Sequence, residues 1–149
     1  LKNPTASAVW SVNFMVKDRT LSCILSGIAG KQVNITGYLQ TRLRHQLNLV
    51  RLVVGPPDLE RRSDLQVVRN VLRSLCVPFQ EKKVLQILRI STRNTRCHQR
   101  IFGALWCRVK VKAIYIGEET RLFVDVSKLG RAVRILSQQI GKQCPKRCG

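Results

Sequence analysis

The order of helical and extended segments repeats along the chain, and this repeat restricts the folds that the chain can adopt. The segment ILSGIAGKQVNITGYL at residues 24–39 is similar to IFGALWCRVKVKAIYI at residues 101–116. In the same way, DLQVVRNVLRSL at residues 64–75 parallels KLGRAVRILSQQ at residues 128–139. The paired segments recur in the same order, which indicates an internal repeat of about 75 residues.

The first copy of the repeat is predicted to alternate strands and helices. A helix is predicted from Thr20, its N-cap, to Gly30, because apolar residues recur there at helical spacing. The other predicted elements are strands at 9–16, 33–39, 47–54 and 79–90 and a helix that starts at Ser63 or Asp64 and ends near Cys76. The resulting order, strand-helix-strand-strand-helix-strand, is that of the ferredoxin-like fold.

The second copy repeats this order without an obvious final strand. Its predicted elements are a strand shared with the first copy, helices at 95–106 and 129–140, and strands at 109–116 and 122–126. The N-terminal segment or a neighbouring subunit could supply the missing strand. We therefore predict an α+β chain of two ferredoxin-like βαββαβ units, with antiparallel sheets and the helices on one face. The expected divisions are an N-terminal extension at 1–8, repeats at 9–83 and 84–140, and a basic, cysteine-containing tail at 141–149.

The charge of the chain favours anionic partners. The 149 residues include 27 Lys and Arg against 8 Asp and Glu, which gives a formal net charge of +19. A surplus of this size attracts nucleic acid, phosphorylated ligands, an acidic protein or an anionic surface, although a merely solvated basic surface is the alternative.

The cysteines do not form a recognisable metal-binding pattern. Of the six cysteines, Cys23, Cys76, Cys97 and Cys107 lie in apolar or periodic segments and are expected to be small buried hydrophobic residues. The CPKRC sequence at 144–148 allows a local disulfide, half a metal site, or an ordinary tail. We expect neither a metal ion nor a cofactor.

Catalytic motifs are also absent from the sequence. The two histidines fall in no known catalytic spacing, and carboxylates are too scarce for a paired general acid and base. The chain has no apolar run of transmembrane length, and its first residues lack the apolar core of a secretory signal. We therefore expect a cytoplasmic, non-enzymatic protein with no catalytic residues and no membrane span.

Two stretches carry a resemblance to a known family. VKDRTLSCILSGIAGKQVNITGY at residues 16–38 resembles the pattern in which a strand runs into Asp-Arg-Pro-Gly and a helix, followed by a strand that begins with Asn-Ile. VKVKAIYIGEETRLFVDVSKLGRAVRIL at residues 109–136 resembles the second half of the same module. Over residues 9–140 the chain thus resembles a tandem ACT-domain protein. ACT modules are ferredoxin-like units that commonly bind amino acids and regulate enzymes.

The resemblance implies a ligand site at the first strand-helix loop. The corresponding candidate residues are Lys17, Asp18, Arg19, Thr20, Asn34 and Ile35. Free backbone N–H groups and the helix dipole at such a loop attract a carboxylate or phosphate. The sequence departs from the family pattern because Thr20-Leu21 stands where the family has Pro-Gly, and a side chain there narrows the approach to the backbone. The alternative is that Asp18 or Thr20 only caps the helix.

A second, weaker anion site is predicted at Arg93, Arg96 and Arg100, which bracket the start of the third helix and could clamp phosphates unless they form a solvated face. The exposed sheet edges of ferredoxin-like units, together with the ACT resemblance, predict a homo-oligomer. The favoured function is a regulatory or assembly module that responds to an amino-acid-like or other small anionic ligand. The alternatives are a basic module that binds RNA, a ribosomal particle or another polyanion, and a structural self-assembling subunit that has lost ligand binding.

Overall fold

The computed structural model describes residues 5–55, 61–88, 95–138 and 142–145. Within these ranges the chain is α+β, with six strands and four α-helices. In chain order they are β1 (Thr5–Lys17), α1 (Asp18–Gly30), β2 (Ile35–Arg42), β3 (Leu47–Val54), α2 (Arg62–Ser74), β4 (Phe79–Leu88), α3 (Thr95–Leu105), β5 (Val111–Ile116), β6 (Leu122–Val126) and α4 (Leu129–Gln138). None of the described helices is long and apolar enough to cross a membrane.

The chain divides into two compact units. The first unit consists of residues 10–82, and the second combines the residues up to Val9 with those from Lys83 onward. Strands β1 and β4 therefore contribute residues to both units. The strand order is β2-β3-β1-β4 in the first unit and β1-β4-β6-β5 in the second. The registered pairs β1–β3, β2–β3, β4–β6 and β5–β6 are all antiparallel.

The core of the first unit lies between one face of its sheet and the apolar faces of α1 and α2. Alternate residues of β1 and β3 point into it, and every third or fourth residue of the two helices meets them, as the periods of strand and helix require. Its buried members include Val12, Phe14, Val16, Leu21, Ile24, Ile28, Val50, Leu52, Val54, Leu65, Val68 and Leu72.

The core of the second unit has the same construction with α3 and α4. Its buried members include Leu85, Ile87, Ile101, Ala104, Leu105, Leu122, Val124, Val126, Ala132 and Leu136. Ala6 of β1 packs against this cluster. Residues 5–8, which the sequence predicts to lie in an N-terminal extension, are thus part of β1 and belong to the second unit.

The cysteine prediction is wrong for Cys23 and Cys76, both of which are exposed free thiols. Cys23 falls beside the buried stripe of α1 that contains Ile24, and Cys76 lies just beyond α2 with a positive φ of 55°. Cys107 was also expected to be a small buried residue, but it forms a disulfide with Cys144. The side chain of Cys97, and Cys148 as a whole, lie outside the described residues.

The disulfide is one of several contacts that hold residues 142–145 against α3 and the residues that follow it. The amide of Cys144 donates to the Gly103 carbonyl at 2.7 Å, and Arg108 Nη1 donates to the Lys142 carbonyl at 2.8 Å. Gln143 Nε2 donates to the Arg100 carbonyl at 2.9 Å. Because Cys144 is buried and these bonds surround it, this part of the predicted tail belongs to the folded second unit.

Candidate functional site

The candidate loop of the sequence analysis is a direct passage from β1 into α1. Lys17 is the last residue of β1 and has extended dihedral angles, with φ −76° and ψ 165°, and Asp18 is already the first residue of α1. The prediction that Thr20 is the N-cap is therefore wrong, because the helix starts two residues earlier and Lys17 occupies the capping position. Lys17 makes no side-chain capping hydrogen bond. The backbone N–H groups in the first turn of α1 therefore make no hydrogen bond with the side chain of Lys17.

Charged side chains surround this helix start. Lys17, Asp18 and Arg19 are exposed, and Thr20 is half-buried. Two cations next to the positive end of a helix dipole favour the approach of an anion. The helix start is therefore open to solvent and suited to a carboxylate or phosphate.

The carboxylate of Asp18 is held by two other side chains of the first unit. Arg42 Nη1, at the end of β2, donates to Asp18 Oδ1 at 2.8 Å and to Oδ2 at 3.1 Å. Asn48 Nδ2, at the start of β3, donates to Asp18 Oδ1 at 2.7 Å. The hydrogen bonds from Asn48 and Arg42 lower the pKa of Asp18 below its ordinary value. Asp18 is thus ionised at neutral pH, and its Oδ2 keeps the greater capacity for another donor.

The hydrogen bonds extend from Asp18 along the helix-covered face of β2 and β3. Asn48 is buried, and its Nδ2 also donates to the Val16 carbonyl at 3.2 Å. Its Oδ1 accepts from Gln40 Nε2 at 3.1 Å, and Gln40 Oε1 in turn accepts from Tyr38 Oη at 2.6 Å. Burial raises the pKa of Tyr38, so the phenol remains a donor at neutral pH. We call Tyr38, Gln40, Arg42, Asn48 and Asp18 the polar row.

Only Asp18 of the polar row is among the predicted site residues; the other four members, Tyr38, Gln40, Arg42 and Asn48, are not. A signal for Asn48 was present, because positions 48, 50, 52 and 54 of β3 alternate on one face and only Asn48 among them is polar. Gln40 and Arg42 carry no such signal, because they lie beyond Leu39, where the sequence predicts the strand to end. In the structure β2 continues to Arg42, which pairs with Asn48.

Asn34 and Ile35 lie away from the polar row. Asn34 Nδ2 donates to the Gly55 carbonyl at 3.1 Å, and the Gly55 amide donates to the Asn34 carbonyl at 3.0 Å. Ile35 packs, half-buried, against the core of the first unit. Asp18 begins α1 and Asn34 follows its end, and a helix of 13 residues is about 20 Å long. The six candidate residues therefore form two groups at opposite ends of α1.

The second predicted anion site is described only in part. Arg93 and the side chain of Arg96 lie outside the described residues. Arg100 is exposed on α3, where its carbonyl accepts the hydrogen bond from Gln143. Within the described ranges, no three His, Cys, Asp or Glu side chains are grouped so that they could hold a metal ion.

Comparisons with known proteins identify the fold. No protein-family model matches the chain, and no curated protein matches it by sequence. Protein BT0572 from Bacteroides thetaiotaomicron has a similar structure, with a TM-score of 0.64 at 10% identity over 90% of each chain.

Two further solved structures are aspartate kinases or parts of them. The regulatory subunit of aspartate kinase from Thermus flavus gives a TM-score of 0.58 at 12% identity, over 93% of this chain and 97% of that one. Aspartate kinase from Synechocystis gives 0.58 at 14% identity, over 98% of this chain and 28% of that one. The chain therefore has the ACT-like, ferredoxin-type fold of aspartate kinase regulatory subunits.

Proposed function

We propose that this protein is a non-enzymatic regulatory or assembly module that binds a small amino-acid-like ligand at the start of α1. The observation that carries the proposal is the exposed first turn of α1, which lacks a side-chain cap at Lys17 and lies beside the fixed carboxylate of Asp18. Its fold, similar to that of a regulatory subunit of aspartate kinase, supports the regulatory part of the proposal.

The proposed ligand carries a carboxylate and an ammonium group. The carboxylate accepts hydrogen bonds from the N–H groups of the first turn, with Lys17 and Arg19 adding positive charge. The ammonium group donates to Asp18 Oδ2, which accepts the longer of the two Arg42 hydrogen bonds at 3.1 Å. An amino acid supplies both groups, whereas a plain amine or a plain anion supplies only one.

In this proposal Asn34 and Ile35 contact a ligand that is bound to a second copy of the chain. They lie at the far end of α1, about 20 Å from Asp18, which is farther than an amino acid reaches. We propose that a homo-oligomer brings Asn34 and Ile35 of one copy to the α1 start of another. A ligand bound there then also stabilises the assembly, because it binds only when both copies are present.

The test is a thermal-unfolding screen of the whole chain against the standard amino acids, each paired with its decarboxylated amine. We expect one amino acid to raise the melting temperature by about 5 °C or more at saturation, and its amine to have no effect. Asp18→Asn should remove the shift. Asp64→Asn is the matched control, because Asp64 lies in the first turn of α2 and should leave the shift intact.

Two outcomes contradict the proposal. One is that no amino acid shifts the melting temperature of the native protein. The other is a shift of equal size in Asp18→Asn, which places the ligand elsewhere.

A further inference from the structure

The positive charge of the chain is concentrated in the second unit. By sequence this unit carries 16 Lys and Arg against 3 Asp and Glu, whereas the first unit carries 11 against 5. Its Asp and Glu are confined to residues 118–125, so that α3 and α4 contain none. Exposed cations lie on or beside these helices, at Arg100, Lys110, Lys128, Arg131 and Arg134. The charge around α3 and α4 is therefore positive, and a positive field attracts acidic partners.

Strand β5 forms the outer edge of the sheet in this unit. Within the described part of the chain β5 is paired with β6 alone, at the end of the order β1-β4-β6-β5. An outer edge presents backbone donors and acceptors that another extended segment can use.

The same edge exposes large apolar side chains. Ile114 and Ile116 pair with Val124 and Leu122, which belong to the core beneath the helices. Residues directly opposite in an antiparallel pair lie on the same face, so both isoleucines are on the helix-covered face. They are nevertheless 39% and 53% exposed.

Helix α3 and the residue that follows it expose two aromatic side chains. Its buried residues Ile101, Ala104 and Leu105 face the core, while Phe102 and Trp106 are 47% and 46% exposed. Trp106 follows the last residue of α3, and its amide donates to the Phe102 carbonyl at 3.0 Å, which continues the helical spacing. We call Ile114 and Ile116 the edge patch; Phe102 and Trp106 are further exposed apolar side chains of the same unit.

We propose that the β5 edge and the edge patch bind an extended segment of a partner protein in which acidic and apolar residues alternate. The segment adds a strand to β5, places its apolar side chains on the edge patch, and carries carboxylates that match the field of the second unit. Alternation follows from strand geometry, since successive side chains point to opposite faces.

The exposed edge of β5 favours a peptide partner over a nucleic acid and over a second copy of the chain. A nucleic acid satisfies the positive charge, but it has no backbone that pairs with a strand edge. A second copy of the chain could pair edge to edge, but it would bring two strongly positive units together. A polypeptide with acidic residues satisfies the edge, the apolar patch and the charge together. The surface lies in the second unit and is independent of the ligand proposed for the α1 start.

The test measures binding of a fluorescein-labelled peptide of five Glu-Val repeats to the whole chain by fluorescence anisotropy. We expect saturable binding, weakened at least tenfold in Ile114→Thr/Ile116→Thr and unchanged in Met15→Thr. Met15 is the matched control because it is an apolar strand residue of the first unit with 56% exposure. A peptide of the same composition with its glutamates and valines in two blocks should bind at least tenfold more weakly.

Two N-methylated peptides test strand addition without altering the protein. One is methylated on the valine nitrogens and the other on the glutamate nitrogens, so that each loses the donors along one edge of the strand. One version should lose binding and the other should keep it, because only one edge of an added strand faces β5. Equal binding of both versions, or of the block peptide, would overturn the proposal.

The other occupants give different results, and each of these also overturns the proposal. If a 20-nucleotide oligouridylate binds more tightly than the peptide, and Ile114→Thr/Ile116→Thr does not change its affinity, the surface binds nucleic acid. A dimer in sedimentation that this double variant abolishes, with no peptide binding, indicates a second copy. Asp18→Asn should leave peptide binding unchanged, so that failure here and failure of the α1 ligand site remain distinguishable.

Discussion

Asn48 Nδ2 donates a hydrogen bond of 2.7 Å to Asp18 Oδ1, which joins the start of β3 to the start of α1. The same nitrogen donates to the carbonyl of Val16, two residues before the helix begins. A single buried amide thus fixes the passage from β1 into α1, where we propose that the ligand binds. The position of the Asp18 carboxylate is therefore set by a residue of β3, a strand that need not contact the ligand.

We expect Asn48→Ala to destabilise the protein by about 1–3 kcal/mol, because it leaves the Val16 carbonyl and Gln40 Nε2 without their partner. The pKa of Asp18 should rise toward its ordinary value, since the Asn48 hydrogen bond contributes most to lowering it. Urea unfolding and a pH titration of the Asp18 carboxyl by NMR measure the two effects. Thr41→Ala, an exposed substitution on β2, should change stability by less than about 0.5 kcal/mol. An unchanged pKa of Asp18 in Asn48→Ala would contradict this role.

The ion pair between Arg69 on α2 and Glu81 on β4 should make the protein less stable in acid. Arg69 Nε and Nη2 both donate to the Glu81 carboxylate, with Nη2 at 2.8 Å, and this hydrogen bonding is the main cause that lowers the pKa of Glu81 below 4.5. Because the folded state has the lower pKa, the pair stabilises it above about pH 4.5, and this contribution disappears as the pH falls through the folded pKa.

Glu81→Gln should therefore cost about 1–2 kcal/mol at pH 7 and much less at pH 3. Urea unfolding of the native and variant proteins between pH 7 and pH 3 measures the difference. Asp64→Asn serves as the control carboxylate. A cost of Glu81→Gln that stays constant over this range would refute the assignment.

The Cys107–Cys144 disulfide should contribute about 3–4 kcal/mol, as expected for a link between residues 37 apart in sequence. Cys144→Ser should lose this contribution, whereas Cys23→Ser, at an exposed free thiol, should be nearly neutral. Peptide mapping after alkylation without reductant should show label on Cys23 and Cys76 and none on Cys107 and Cys144. Full labelling of Cys107 under these conditions would show that the pair does not form. Because such bonds are rare in a reducing cytosol, the result also tests the expected localisation.

The sequence predicted those elements whose ends are marked by a change of pattern. The short, largely apolar runs LNLVRLVV and LFVDV predict β3 and β6 at their observed bounds, Leu47–Val54 and Leu122–Val126. The ferredoxin-type fold followed from the order of elements alone, because few arrangements bury so many alternating strands and amphipathic helices.

Other features depended on contacts between distant residues and had no local signal. Thr20 is a good capping residue by type, yet α1 starts at Asp18, where the side chain is bonded to Arg42 and Asn48. Residues 5–8 are small or polar and do not look like a strand, but they belong to β1 and extend into the second unit. The disulfide escaped prediction because its partners are 37 residues apart and only the chain path brings them together.

The most direct test of the central claim is a titration of the ¹⁵N-labelled protein with the standard amino acids, followed by amide NMR spectra. We predict that one amino acid shifts the backbone amides of residues 18–21 and the side-chain amide of Asn48, saturably and together. Saturable shifts confined to other residues, or no shifts with any amino acid, would contradict the claim that the start of α1 is a ligand site.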